Sequence, residues 1–88
     1  MLKNRIHPGD FLQEELAERG LSQARLASHI GVAPGVINVI CNGKRGISPA
    51  MAKRLAIALG TSPELWMNLQ TSYDLSRAAE PSFGRLRA

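Results

Sequence analysis

The chain has 88 residues, enough for one domain but not for two. Hydrophobic residues make up 44% of it, so a compact core can form, and a net charge of +4 is too small to identify a nucleic-acid partner by itself. The single cysteine excludes an internal disulfide, and two histidines with one cysteine give no metal-ligand spacing. We therefore expect no metal and no cofactor.

Apolar residues at helical spacing predict an all-α fold of five helices, and no segment alternates with the period of a strand. In chain order the helices are expected from about Pro8 to Arg19, from Ser22 to Gly31, from near Ala33 to Asn42-Gly43, from Ser48 to Gly60 and from Thr61 to Leu75. Serine before a first turn and glycine after a last turn are typical helix boundaries. Thr61 and Glu64 fit a capping box at the start of the fifth helix.

The C-terminal residues 76–88 differ from the rest of the chain. The apolar period fades there, and the segment contains Pro81, Gly84 and the arginines at 77, 85 and 87. We expect one domain over residues 1–75 and a basic, mobile tail over residues 76–88.

The second and third helices match the requirements of a helix-turn-helix. Ala27 is small enough for a close helix crossing, and Gly31, four residues later, permits a sharp turn. Val32 fills the space after the turn, and Ile37 and Ile40 anchor the inner side of the following helix. The sequence therefore predicts that the third helix enters the major groove of DNA.

The outward positions of this unit define the candidate DNA contacts. They are Gln23, Ala33, Pro34, Gly35, Asn38, Val39, Asn42, Lys44 and Arg45. Asn38 can bond bidentately to adenine, or alternatively to phosphate or water, and Gln23 lies at a helix N-terminus suited to a phosphate. Because Asn38 is the one polar side chain among the outward positions of the third helix, DNA shape is a second candidate source of specificity.

Two further surfaces are candidate protein interfaces. Trp66, Leu69 and Tyr73 of the fifth helix are candidates for a two-fold dimer interface, although Trp66 also fits the core of one copy. The first helix carries Asp10, Glu14, Glu15 and Glu18, which form either a contact for a basic partner protein or an ordinary solvated face. The tail, with Phe83 and Leu86, is another segment that could fold on a partner.

Several segments resemble the HigA-type antitoxins within the lambda-repressor-like XRE group of helix-turn-helix proteins. They are Leu21-Ser22-Gln23, Leu26-Ala27, Ile30-Gly31-Val32, His7-Pro8-Gly9-Asp10, Asn42 to Ser48 and Leu59 to Trp66. The resemblance covers about residues 5–75. It implies a DNA-binding antitoxin that neutralises a RelE-like ribonuclease toxin and represses its own operon.

Other functions have less support in the sequence. A repressor of the same group without a toxin partner is the alternative, and a purely structural bundle is a further one. An enzyme is not supported, because there is no nucleophile with a base and no phosphate-binding glycine loop. With neither a signal-peptide pattern nor a run of about 18 apolar residues, we expect a cytoplasmic protein without a membrane or small-molecule partner.

Overall fold

The computed structural model describes residues 6–88. These residues form five α-helices and no strand: α1 (Pro8–Arg19), α2 (Gln23–Ile30), α3 (Pro34–Cys41), α4 (Pro49–Leu59) and α5 (Pro63–Arg77). The all-α class and the five-helix architecture predicted from the sequence are confirmed. No helix in the described part is both long and apolar enough to span a membrane.

Serine side chains begin three of the helices. The hydroxyl groups of Ser22, Ser48 and Ser62 accept hydrogen bonds from the backbone N–H groups three residues later, at 3.0, 3.1 and 3.1 Å. Each hydroxyl satisfies one of the amide groups that a helix leaves free at its N-terminus. At α5 the cap is therefore Ser62, and the predicted capping box on Thr61 is wrong.

The side chain of Thr61 has a different role. Its Oγ1 accepts a hydrogen bond of 2.8 Å from the indole Nε1–H of Trp66. Trp66 itself is fully buried and packs its ring 5.3 Å from that of Phe11. Because no part of this side chain is exposed, Trp66 belongs to the core of one copy and is withdrawn from the candidate dimer interface.

The core lies where the inner faces of the five helices meet. Its buried members are Leu12, Leu16, Leu26, Ala27, Ile37, Ile40, Cys41, Ile47, Ala52, Leu55, Ala56, Leu59 and Trp66. Removing this much apolar surface from water is the main source of stability in a domain of this size. Three of these residues, Ile37, Ile40 and Cys41, come from α3, so that helix is fixed along one whole side.

The start of α1 packs directly on the end of α3. A Cβ atom added at Gly9 would lie 1.9 Å from the carbonyl oxygen of Ile40, so only glycine permits this contact. His7 caps α1, because its Nδ1 accepts a 2.8 Å hydrogen bond from the N–H of Gly9. The amide of Gln13 adds a 2.9 Å hydrogen bond to the carbonyl of Cys41. The last turn of α3 is thus held by Gly9 and Gln13, and His7 fixes the start of the helix that carries them.

Candidate DNA-binding surface

The turn between α2 and α3 has the geometry that the sequence predicted. Gly31 has a φ of 78°, and its N–H and that of Val32 both donate to the carbonyl of Ala27, at 2.9 and 3.0 Å. A positive φ is the conformation that favours glycine at a helix C-terminus. Ala27 has no exposed surface, so the two helices touch at a residue without a long side chain.

The opposite sides of α3 differ sharply in exposure. Ile37 and Ile40 are 0% and 1% exposed, whereas Asn38 between them is an exposed residue. Ala33, Pro34 and Gly35 at the start of the helix are exposed as well, and Val39 is half-buried. The predicted contact residues of α3 therefore share a surface that none of the other helices covers.

Three amide side chains on this surface are joined to one another. The Nδ2 of Asn38 donates to the Oε1 of Gln23 at 3.3 Å, and the Nδ2 of Asn42 donates to the Oδ1 of Asn38 at 3.2 Å. We call Gln23, Asn38 and Asn42 the amide strip. Each carboxamide has two N–H donors and two lone pairs, so Asn38 retains one donor and one acceptor for a bidentate contact.

The N-terminus of α3 has no side-chain cap, since Ala33 occupies the cap position. Pro34 follows in the first turn and has no N–H of its own. The N–H of Val36 donates to the carbonyl of Ala33 at 3.0 Å, so the N–H of Gly35 and the positive end of the helix dipole are what this exposed position offers to an anionic group.

The loop after α3 is braced from behind. Gly43 has a φ of 77°, and the N–H of Lys44 donates to the carbonyl of Val39 at 2.9 Å. The Oε1 of Gln70 in α5 accepts a 2.6 Å hydrogen bond from the N–H of Ile47. Lys44 and Arg45 are exposed in the segment between these two hydrogen bonds. Their charged side chains therefore follow directly after the exposed side of α3.

Arg54 and Gln70 were missed by the sequence analysis. The guanidinium of Arg54 in α4 donates to the carbonyl of Ile30 at 2.6 Å, at the C-terminal end of α2. A cation at that end stabilises a helix through its dipole. Both side chains form hydrogen bonds with residues more than 20 positions away in the sequence, so no local sequence pattern predicts them.

The residues of the two candidate protein interfaces, on α5 and α1, differ in exposure and in their contacts. Leu69 and Tyr73 are half-buried on α5, and the Tyr73 ring lies edge-on to His7 at 4.7 Å. On α1, Asp10, Glu14 and Glu18 are exposed, while Glu15 forms an ion pair of 3.0 Å with Arg19. Both surfaces remain candidates.

The described residues include no group of histidine, cysteine and carboxylate side chains placed to hold a metal ion. Cys41 is buried at the end of α3. Burial raises the pKa of its thiol, and the negative charge of Asp10 raises the pKa further. A buried thiol with a raised pKa is a poor nucleophile, so Cys41 serves in packing.

The close-packed α2 and α3, with the exposed side of α3 between flanking helices, define a helix-turn-helix domain. A family model described as "Helix-turn-helix" matches residues 12–66. The chain belongs to this family.

Curated relatives include regulators and an antitoxin. The HTH-type transcriptional regulator YddM of Escherichia coli is 35% identical over 77 residues, which are 88% of this chain and 82% of the relative. Antitoxin HigA-1 of Vibrio cholerae is 37% identical over 71 residues, which are 80% of this chain and 67% of the relative. The relatives of this chain thus include HigA antitoxins, in agreement with the resemblance found in its sequence.

Two solved structures with similar folds contain DNA. The Pseudomonas aeruginosa antitoxin HigA with the higBA promoter has a TM-score of 0.80 and 43% identity, covering 83% of this chain and 80% of that one. The antitoxin GraA in complex with its operator has a TM-score of 0.84 and 44% identity, covering all of both chains. The second match therefore extends through the C-terminal residues.

Proposed function

We propose that the protein represses transcription by binding an operator with the exposed side of α3, and that it is the antitoxin of a toxin encoded beside it. The observation that carries the DNA-binding part is the amide strip. Its three carboxamides are hydrogen-bonded to one another from the start of α2 to the end of α3, along the side of α3 opposite the buried Ile37 and Ile40. Preorganised polar groups lose little conformational freedom when they bind.

The surface offers each type of contact that an operator requires. Asn38 supplies a donor and an acceptor for an adenine, and Pro34, Gly35 and Val39 are small or apolar enough to approach thymine methyl groups. Gln23, Asn42, Lys44 and Arg45 lie at the edges of this surface and are assigned to phosphates, which fix the register of the protein on the duplex. The DNA complexes of GraA and of the P. aeruginosa HigA support operator binding by a domain of this fold.

A gel-shift titration of the promoter upstream of the protein's own gene tests DNA binding. Replacement of Lys44 and Arg45 by alanine should weaken binding to all sequences and reduce the slope of log K against log salt by about 0.9 for each lost phosphate contact. The matched control is Arg19→Ala with Lys53→Ala, which removes the same charge. Arg19 lies in the last turn of α1, whereas the first turn of that helix packs on α3, and Lys53 lies on α4 near Pro63.

Two results would contradict this part of the proposal. The wild-type protein would fail to retard the promoter at low salt, or the control pair would reduce the slope as much as the Lys44 and Arg45 pair does. A slope change confined to Lys44 and Arg45 supports their contact with phosphates.

The antitoxin function rests on the HigA relatives and on the surfaces that DNA does not require. The exposed carboxylates of Asp10, Glu14 and Glu18 follow one another every four residues, so they lie along one side of α1. Such a stripe is complementary to a basic protein, and a RelE-like ribonuclease, which must bind RNA, is the class of toxin we propose.

Co-expression with the neighbouring reading frame tests this part. The frame alone should arrest growth, the pair should not, and a tagged antitoxin should retain the toxin on a column. Asp10→Asn with Glu14→Gln and Glu18→Gln should reduce retention and leave promoter binding intact. A neighbouring frame that is harmless alone would favour the alternative, a repressor without a toxin.

A two-fold dimer would place two copies of α3 about 34 Å apart, one turn of the duplex. We assign the dimer contact to α5, where Leu69 and Tyr73 are only partly covered by their own chain. Sedimentation of the wild type and of Leu69→Ala should show a dimer that weakens in the variant. A wild-type monomer at micromolar concentration would exclude this arrangement.

A further inference from the structure

The C-terminal segment 78–88 has no assigned role in the surface described above. All of its residues are exposed, and Phe83 and Leu86 are 82% and 93% exposed. Unlike the isolated Ile57 of α4, Phe83 and Leu86 lie three residues apart and next to Arg85 and Arg87, so this segment combines exposed apolar and cationic side chains in one short stretch. Among residues 6–88 the one ion pair joins Arg19 and Glu15, so Arg85 and Arg87 carry charges that no carboxylate in that range compensates.

The position of this segment follows from the end of α5. Gln70 bonds the N–H of Ile47 in the loop after α3, and a Cβ added at Gly46 would lie 2.8 Å from its Oε1. One helical turn after Gln70, the centroid of the Tyr73 ring lies 4.7 Å from that of His7. The His7 ring also lies beside Gly43 of the loop. Gln70 thus contacts the loop that carries Lys44 and Arg45 directly, and Tyr73 is connected to it through His7.

Arg77 completes this path, because its guanidinium lies over the Tyr73 ring at 5.6 Å from the centroid. The chain leaves α5 at Ala78, in an extended conformation with φ of −74° and ψ of 141°. The tail therefore starts eight residues, about 12 Å along the helix axis, beyond Gln70, the α5 residue that bonds the loop. Its eleven residues could reach about 35 Å when fully extended, more than one turn of duplex.

The order of side chains in the tail matches the chemistry of the DNA minor groove. Arginine inserts into a narrow minor groove, where the potential is most negative, and apolar side chains such as Phe and Leu act as wedges between base steps. Phe83-Gly84-Arg85-Leu86-Arg87 supplies both types within five residues, with a glycine that lets the backbone approach closely.

We infer that residues 78–88 form a C-terminal arm that enters the minor groove next to the major-groove site of α3. This inference rests on the proposed DNA binding and adds a second contact to it. Arg85 and Arg87 are its anchoring residues. A minor groove rich in A·T pairs is its preferred target, because that groove is narrow.

The test compares the full-length wild type, Arg85→Ala with Arg87→Ala, and the Arg19→Ala with Lys53→Ala control. Each is titrated with operator duplexes whose neighbouring minor groove is built from A·T or from G·C pairs. The wild type should prefer the A·T duplex, and the arm variant should lose that preference. Its salt slope should also fall by about 0.9 for each lost contact, while the control keeps the preference.

The outcomes separate this inference from the proposed function. A wild type that binds no operator refutes the proposed function. An arm variant that binds both duplexes with wild-type slope and preference refutes the arm alone. Sedimentation supplies the remaining outcome: an arm variant that loses the dimer at concentrations where the wild type keeps it would assign the tail to a second copy, and the minor-groove inference would be wrong.

Discussion

The N-termini of α3 and α4 make an instructive pair, because both place a proline in the first turn but only one has a side-chain cap. Ser48 accepts a hydrogen bond from the N–H of Met51, whereas Ala33 at the corresponding position of α3 has no side-chain acceptor. Helix α4 is thus stabilised by its own sequence. Helix α3 depends on its buried side and on the residues packed against its end.

This difference has a functional meaning. Without a side-chain cap at position 33, the N–H of Gly35 is left for the proposed operator contact. The N-terminus of α3 lacks the stabilisation that a side-chain cap provides. The helix is held instead by the burial of Ile37 and Ile40 and by the contact of Ile40 with Gly9. Variants at matched positions of the two helices can test this interpretation.

The largest effect is expected from the buried side of α3. Ile37→Ala should lower the free energy of unfolding by about 2–5 kcal/mol, because it removes a fully buried side chain and leaves a cavity. Ile57→Ala is the control, since Ile57 lies on α4 and is 84% exposed, and its effect should stay within about 0.5 kcal/mol. Urea denaturation of both variants measures the difference. Equal losses would show that α3 is not fixed by burial.

A smaller effect is expected on the exposed side of the same helix. Asn38→Ala should weaken binding to the cognate operator by about 1–3 kcal/mol and change binding to random DNA far less. Asn68→Ala, at an exposed position of α5, is the control and should leave operator binding unchanged. Fluorescence anisotropy with both duplexes provides the measurement. An equal loss on random DNA would show that Asn38 contacts phosphate and reads no base.

The cap of α4 should contribute about 1 kcal/mol. Ser48→Ala removes the acceptor for the N–H of Met51 and should lower the melting temperature accordingly. Ser72→Ala, at an exposed position within α5, removes a hydroxyl that does not begin a helix. A loss at Ser72 as large as that at Ser48 would refute the assignment of the cap.

The smallest and most specific effect concerns Ala33. Ala33→Ser supplies the missing cap and should raise the free energy of unfolding by about 0.5 kcal/mol, while it weakens operator binding by occupying an N–H group. Ala50→Ser, in the first turn of α4, should change neither property in this direction. A variant that gains stability and keeps full affinity would show that the N–H of Gly35 at the start of α3 is not used.

These four experiments test different parts of what the sequence made predictable. The helix boundaries at Pro8, Ser22, Gly31 and Ser48 follow from local rules for caps and turns, and the structure confirms them. The start of α5 shows the limit of those rules. Thr61 and Ser62 are both capping residues, and only the position of the Trp66 indole assigns Thr61 to a different bond.

The remaining features depend on residues far apart in the chain. The amide strip joins Gln23 to Asn38 across the turn, and the support of the basic loop joins Gln70 to Ile47. The contact of Gly9 with Ile40 brings together two helices that are separated in sequence by α2. Such pairings arise from the packing of whole helices, so a pattern within one helix cannot predict them. The end of α5 at Arg77, two residues beyond the predicted limit, is a smaller difference of boundary.

Cys41 gives this arrangement a built-in reporter. Its thiol lies under the start of α1, is 2% exposed, and has a raised pKa because of burial. An alkylating reagent reacts with the thiolate, so it can modify this residue only when α1 and α3 separate. The rate of alkylation therefore measures how often the recognition helix detaches, and bound operator should slow that rate without any added label.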